Sequence, residues 1–288
     1  MKGETGMSEG RLAGKVAIVT GGGSRGGELG TGEATAICLA REGASVVVAD
    51  IDDKNAERTV SSISGEGGDA SVFIGDACQS NDSSSMINAA VERYGGLHIL
   101  MNNLGYRSHG TTRGRGVDGL VEEQFDAAVQ LNLKTATLAS KHAIPAMKES
   151  GGGSIINVSS VDGIAAGHNY GVPYGVTKGA LHMLTAATAA YHGRDGIRAN
   201  CIAPGHLHSS FTSAIDPKLR DRRRRVVPLG TEGTPWDVAW LAVFLASDES
   251  RWISGVMIPV DGGLFAAQPL VAQHYMEADD VESEEESS

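Results

Sequence analysis

The 288-residue sequence predicts a single α/β domain in which a doubly wound parallel sheet carries helices on both faces. Three observations lead there. Short β-branched runs alternate with longer helical patterns from Lys15 to Gly263. Several of the runs are almost wholly apolar, as strands covered on both sides must be. Hydrophobic residues make up 41% of the chain, enough for a substantial core, and nothing in the pattern suggests a linker that would split it.

Taken in order, strands are expected at residues 16–20, 45–50, 71–75, 97–102, 154–159, 198–203 and 256–260. Helical patterns occupy residues 32–42, 53–63, 81–94, 121–148, 172–191 and 234–246, the last opening on Thr234-Pro235, an N-cap followed by proline at the first helical position. Two connections break the rhythm. Residues 106–119 are rich in Gly and Arg, and residues 206–225 join polar residues to a basic cluster. Long connections in a tight domain are often lids over a substrate. The domain should run from 12 to 265, after an N-terminal extension at 1–11 and before an acidic tail at 266–288 that is flexible at its acidic end.

Composition narrows the function. No apolar run approaches the roughly 20 residues that span a bilayer, and the polar start of the chain lacks the core of a secretory signal, so a cytoplasmic protein without a membrane partner is expected. The net charge is −11, and removing the seven acids of the segment 277–288 brings it to −4. A negative surface argues against nucleic acid as partner. Cys38, Cys78 and Cys201 are few and widely spaced, which fits buried reduced thiols rather than a disulfide framework or a zinc site. His206 and His208 flank Leu207 without a third ligand candidate, so no metal site is expected.

After the first strand come Thr20-Gly21-Gly22-Gly23-Ser24 and then Gly30-Thr31-Gly32 at the start of an apolar helix. Glycines there let the backbone approach a pyrophosphate, which amides at a helix N-terminus can hold, so the sheet is read as Rossmann-like. Asp50 closes the second strand, with Ile51 after it, where an acid can accept hydrogen bonds from an adenosine ribose. The plainer reading of Asp50 is a turn aspartate. A carboxylate on the ribose disfavours a 2′-phosphate and so favours NAD over NADP, whereas Arg25 beside the glycine turn would attract that phosphate.

Tyr174 and Lys178 stand four apart, on one face of a helix. A phenol ordinarily titrates at about 10, and bringing it to neutrality takes roughly 4 kcal/mol of differential stabilisation, within reach of a close cation in a desolvated cleft. The pair alone is common by chance. Here Asn157-Val158-Ser159-Ser160 closes the fifth strand, where ligands bind in such sheets, and a hydroxyl at Ser160 can donate to a substrate oxygen. Asn132 lies in a long apolar helix, where an amide needs partners; a helix-bend amide holding water is compatible with a catalytic water chain.

With these residues in place the sequence resembles a short-chain dehydrogenase/reductase from about Leu12 to Gly263. The TGxxxGxG pattern falls on Thr20, Gly21, Gly30 and Gly32 with a five-residue insertion, 25–29; the acid after the third strand is Asp76; and NNAG reads Asn102-Asn103-Leu104-Gly105. Asn200 to Gly205 and Val260-Asp261-Gly262-Gly263 match the later motifs. The resemblance implies Asn132, Ser160, Tyr174 and Lys178 as catalytic residues. Tyr174 would exchange the proton with the substrate oxygen, Ser160 would orient that oxygen, Lys178 would bind the nicotinamide ribose and assist Tyr174, and Asn132 would hold a water leading to solvent. It implies an NAD site made by Gly21, Ser24, Gly30, Thr31, Gly32, Asp50, Ile51, Asp76, Ala77, Asn103, Gly105, Tyr174, Lys178, Pro204, Leu207 and Ser209. Leu104 stands where the family has a small alanine.

The expected activity is hydride transfer between NAD(H) and a secondary alcohol or ketone; an NADPH-dependent ketoreductase and a non-catalytic nucleotide-binding scaffold are the alternatives. A homotetramer or homodimer is expected through the helices around Asn132 and Tyr174. The run Arg220, Arg222, Arg223, Arg224, Arg225 reads as a solvated helix face, with attraction of an anionic substrate or of the acidic tail as the sharper readings. Tyr106, Arg107, Arg113 and Arg115 are candidates for the substrate mouth, and the small residues 163–167 hint at room for a ring.

Overall fold

In the computed structural model, residues 10–24, 27–107, 116–166 and 171–286 are described, with side chains to residue 277. Arg25, Arg113, Arg115, Gly167 and the acids of the tail beyond Glu277 lie outside the described residues or side chains. Seven parallel strands, β1 (Val16–Thr20), β2 (Ser45–Asp50), β3 (Ala70–Ile74), β4 (Ile99–Asn102), β5 (Gly153–Val158), β6 (Ile197–Pro204) and β7 (Met257–Val260), form one sheet in the order β3-β2-β1-β4-β5-β6-β7. The order reverses between β1 and β4, so the chain leaves opposite ways from two adjacent strand ends and opens a crevice between them.

The helices are α1 (Thr31–Arg41), α2 (Asp53–Gly65), α3 (Ser80–Tyr94), α4 (Glu122–Ala128), α5 (Thr135–Glu149), α6 (Gly171–His192), α7 (Pro217–Arg225), α8 (Pro235–Ala246) and α9 (Pro269–Glu286). Successive strand residues point to opposite faces, which is why the strands must be apolar throughout. Ala17 and Val19 of β1 pack with Leu39 of α1 and Val243 of α8, whereas Val16 and Ile18 pack with Met86 of α3 and Met147 of α5. None of the described helices is long and apolar enough to cross a membrane. The three cysteines are buried free thiols, each pushed up to about 11 by burial.

Three features add detail that the sequence pattern did not give. The helix expected over 121–148 contains a π-helical turn, Val129–Lys134, between α4 and α5, with Asn132 inside it. The helix face expected for the arginines of the 206–225 connection belongs to α7, which starts earlier: Asp216 caps it by accepting from the Lys218 amide at 2.8 Å, and Pro217 opens it. In the tail, α9 runs through Glu286 and packs against α7, where the Arg225 guanidinium donates to the Met276 carbonyl. Within the helix Gln273 Nε2 donates to Glu277 Oε1 at 2.7 Å, one turn on.

Candidate active site

The C-terminal ends of β1, β2, β4, β5 and β6 surround one open cleft of about 460 Å3. It brings together Gly21, Gly30, Thr31, Gly32, Asp50, Ile51, Asp76, Ala77, Asn103, Gly105, Ser160, Tyr174, Lys178, Pro204, Leu207 and Ser209. Ser24 and Asn132 stand behind its wall. The Ser24 hydroxyl accepts from the Gly30 amide at 2.6 Å and so closes the inserted turn at its base.

Glycine is required at two points of this turn. Gly21 has φ +61°, a left-handed conformation open mainly to glycine. A Cβ on Gly32 would lie 2.0 Å from the Gly21 carbonyl oxygen, so α1 starts against the backbone of the turn. Asn103 ties the two together: it accepts from the Thr31 hydroxyl at 2.7 Å and donates to the Gly21 carbonyl at 3.1 Å. This is a cradle a side chain would fill, with the first amides of a helix facing it, and it fits a pyrophosphate.

Asp50 accepts from the Gly23 amide at 3.0 Å and from the Asp52 amide at 3.1 Å, fixing its carboxylate at the cleft edge beside the exposed Ile51. These bonds fill the turn role, and the carboxylate keeps further lone pairs with which to accept from a ligand. Asp76 accepts from the Cys78 amide at 2.9 Å, and this bond holds its carboxyl below the usual carboxylate range. Arg58 of α2 donates to the Ser24 carbonyl and stands 3.9 Å from Glu33.

The catalytic end is built where β5 meets α6. Ser160 follows β5 and opens a short turn, Val161–Gly163, that lies directly on α6. A Cβ on Gly163 would come within 2.7 Å of the Lys178 backbone, and one on Gly175 within 2.8 Å of the Asp162 carbonyl oxygen. The smallness of Gly163 thus serves helix contact. Through this contact Ser160, Tyr174 and Lys178 face one space. Lys178 is 2% exposed, and its ammonium donates to the Val158 carbonyl at 2.8 Å and the Leu104 carbonyl at 3.2 Å. Burial lowers its pKa from 10.5 to about 8. The ammonium lies 5.8 Å from the centre of the Tyr174 ring.

Leu104, large for its place, fills the space above Gly21 while its carbonyl serves Lys178. Asn132 accepts from the Tyr106 amide at 2.5 Å and donates to the Tyr106 carbonyl at 3.0 Å and the Thr177 hydroxyl at 2.9 Å. It therefore pins the connection after β4 to α6, one residue before Lys178. The partners this buried amide needs are protein groups, at both its oxygen and its nitrogen.

A protein-family model described as "Enoyl-(Acyl carrier protein) reductase" matches residues 27–265. The 2,5-dichloro-2,5-cyclohexadiene-1,4-diol dehydrogenase LinX of Sphingobium indicum is 38% identical over 255 residues, 88% of this chain and 97% of that protein. The chain belongs to the short-chain dehydrogenase/reductase family. The 3-oxoacyl-[acyl-carrier-protein] reductase FabG of Thermotoga maritima is 34% identical over 88% of this chain and 99% of its own length. A short-chain type dehydrogenase/reductase from Mycobacterium ulcerans superposes with a TM-score of 0.81 at 28% identity, covering 89% of this chain and 92% of that one.

Within this short-chain dehydrogenase/reductase the cleft has further lining, which includes Tyr106 and Arg107 from the expected substrate mouth. Phe211 faces Tyr174 at 6.3 Å between ring centres, and Arg107 lies over Phe211 at 5.2 Å. Asp162, His206 and Arg223 also line the cleft. Arg223 corrects the solvated-face reading of the arginine run, because it is turned inward and 5% exposed. Its neighbours behave as expected at a surface: Arg220 pairs with Glu232 at 2.6 Å and Arg224 with Asp221 at 3.1 Å. His206 uses Nδ1 to donate to the Arg223 carbonyl at 2.9 Å, and the His208 ring stands 3.6 Å from Glu28. Asp162 lies two residues after Ser160, a spacing that was legible; Phe211 gave no signal, and the arginine run did not show that Arg223 is the member turned inward.

Proposed function

We propose that the protein catalyses the NAD-linked oxidation of a secondary alcohol, or the reverse reduction. The observation that carries this is the buried Lys178 ammonium, held by two main-chain carbonyls beside Tyr174, with Ser160 facing the same space. The nicotinamide, when bound, supplies the carbon that accepts or returns hydride. Ser160 holds the substrate oxygen by its hydroxyl, which already accepts from the Asp162 amide at 3.1 Å and keeps its own proton to donate. Tyr174 takes the hydroxyl proton in oxidation and returns it in reduction. Lys178 has three protons, two of them committed to carbonyls, so one remains for a partner in the cleft, and its charge favours the phenolate. Asn132 positions this helix, and a water beside the π-turn would carry the proton from Lys178 to solvent.

Asp50 supports NAD, because a carboxylate at the ribose edge repels a 2′-phosphate. Arg58 at the back of the glycine turn supports the second reading, an NADPH-dependent ketoreductase. Binding of NADH and NADPH by nicotinamide fluorescence, followed by a screen of cyclic and acyclic secondary alcohols by absorbance, tests both. A tighter complex with NADPH overturns the cofactor assignment, and absence of turnover with every alcohol and ketone overturns the reaction. The exposed Val176, Met183 and Tyr191 on α6 support assembly as a homotetramer or homodimer through that helix. A cytoplasmic site of action and a small alcohol or ketone as the sole substrate partner complete the reading.

A further inference from the structure

We propose that Asp162 and Arg223 form a second polar subsite that grips a hydroxyl group of the substrate other than the reacting one, so that the enzyme's substrates are diols or polyols. The inference rests on the alcohol-oxidation reading above and specifies its substrate class.

The two side chains reach the cleft from different elements. Asp162 is in the turn that follows Ser160, its amide donates to the Ser160 hydroxyl, and it lines the same cleft as Ser160 and Tyr174. Arg223 comes from α7 in the lid, with its main chain tied to His206. Arg223 is almost wholly enclosed, yet its Nε and Nη1 meet no hydrogen-bond acceptor, and it pairs with no carboxylate among the described residues. A guanidinium shut away with unused donors is costly unless something else completes it. The cleft is the place from which a partner can come, because Asp162, His206 and Arg223 all line it.

The pair has opposite charges and does not touch. Arg223 is near enough to lower the pKa of Asp162, which burial raises to about 6, but no ion pair forms between them. At neutral pH the subsite therefore offers an ionised carboxylate as acceptor and a guanidinium as donor, with no net charge. A hydroxyl group satisfies both, since its proton goes to the carboxylate and its lone pair accepts from the guanidinium. A carboxylate substrate would satisfy Arg223 while facing Asp162 as a like charge. A simple ketone or mono-alcohol would leave both unserved.

The test compares kcat/KM for a vicinal cyclohexanediol, for cyclohexanol and for a hydroxycyclohexane carboxylate, in the wild type, Asp162→Asn and Arg223→Met. Nicotinamide fluorescence on binding NADH confirms that each variant folds. A site built to bond a hydroxyl rejects the analogue lacking it by orders of magnitude, so a diol-to-cyclohexanol ratio of about 100 or more is expected, falling to near unity in both variants. Equal rates for diol and cyclohexanol in the wild type, with both lost in Tyr174→Phe, would overturn the subsite and leave the reaction standing. A preference for the carboxylate that rises in Asp162→Asn would also overturn it, in favour of an anion site. No turnover of any of the three, nor of other alcohols in the wider screen, would instead remove the underlying reaction.

Discussion

Replacing Gly32 by alanine probes the contact on which the nucleotide end depends. The added Cβ would stand 2.0 Å from the Gly21 carbonyl oxygen and 2.7 Å from Asn103 Nδ2. Carbon and oxygen approach without strain only to about 3.3 Å, so the start of α1 must retreat from the turn by about 1.3 Å. The first obstacle is backbone, not a side chain that can swing aside. Overpacking of this kind costs about 1–3 kcal/mol. At about 2–4 °C per kcal/mol for a domain of this size, the Tm should fall by roughly 5 °C. The retreat also stretches the Thr31–Asn103 and Asn103–Gly21 bonds and moves the amides that would hold the pyrophosphate. A displacement of that order weakens a positioned interaction by up to about 100-fold. Thermal unfolding and NADH titration measure the two effects. Gly65→Ala is the control, since nothing lies within 4 Å of a Cβ there and its φ is not left-handed. Unchanged Tm and NADH affinity in Gly32→Ala would refute the reasoning.

Three further outcomes follow from the same geometry. Asp50→Ser should weaken NADH about 10-fold by removing the ribose acceptor, and should narrow or reverse the preference over NADPH; a variant with the wild-type preference contradicts the role of Asp50. Because burial lowers the Lys178 pKa to about 8, the ammonium prevails below that pH and is lost above it. Profiles of kcat/KM for alcohol oxidation should therefore fall as pH rises through about 8 in the free enzyme, and a profile still rising at higher pH speaks against a required ammonium. Asp162 has a folded pKa raised from 3.8 to about 6, so the stability of the native state drops as pH climbs through that interval. Allowing for its partial exposure, Asp162→Asn should gain roughly 1–2 kcal/mol at pH 7.5 and nothing near pH 3.5, by urea unfolding; an unaltered difference between the two pH values counts against it.

The sheet was legible because its strands carry their burial in their composition. Val16–Thr20 and Ser45–Asp50 need no partner to be recognised, since only a strand covered on both faces is so uniformly apolar. The catalytic constellation was legible because Ser160 closes a strand and Tyr174 and Lys178 share a helical turn, which are local facts. The arginine run was legible as a helix face, but the bounds of α7 were not, because its five arginines hide any apolar period, although Asp216-Pro217 is the same kind of start signal that was recognised at Thr234-Pro235. Nor could sequence say which arginine turns inward, because that depends on where α7 sits against the cleft. Asn132 was found as an amide in an apolar helix, but the π-turn and its hold on Tyr106 depend on the packing of three segments distant in the chain.

Single-turnover absorbance with NAD and a secondary alcohol that the wild type oxidises tests the proton chemistry most directly. The wild type should show the reduced nicotinamide band, while Tyr174→Phe should bind both molecules as tightly and form it about 100-fold more slowly or worse. A variant that reduces NAD at the wild-type rate would mean that the phenol beside Lys178 is not the group that moves the proton.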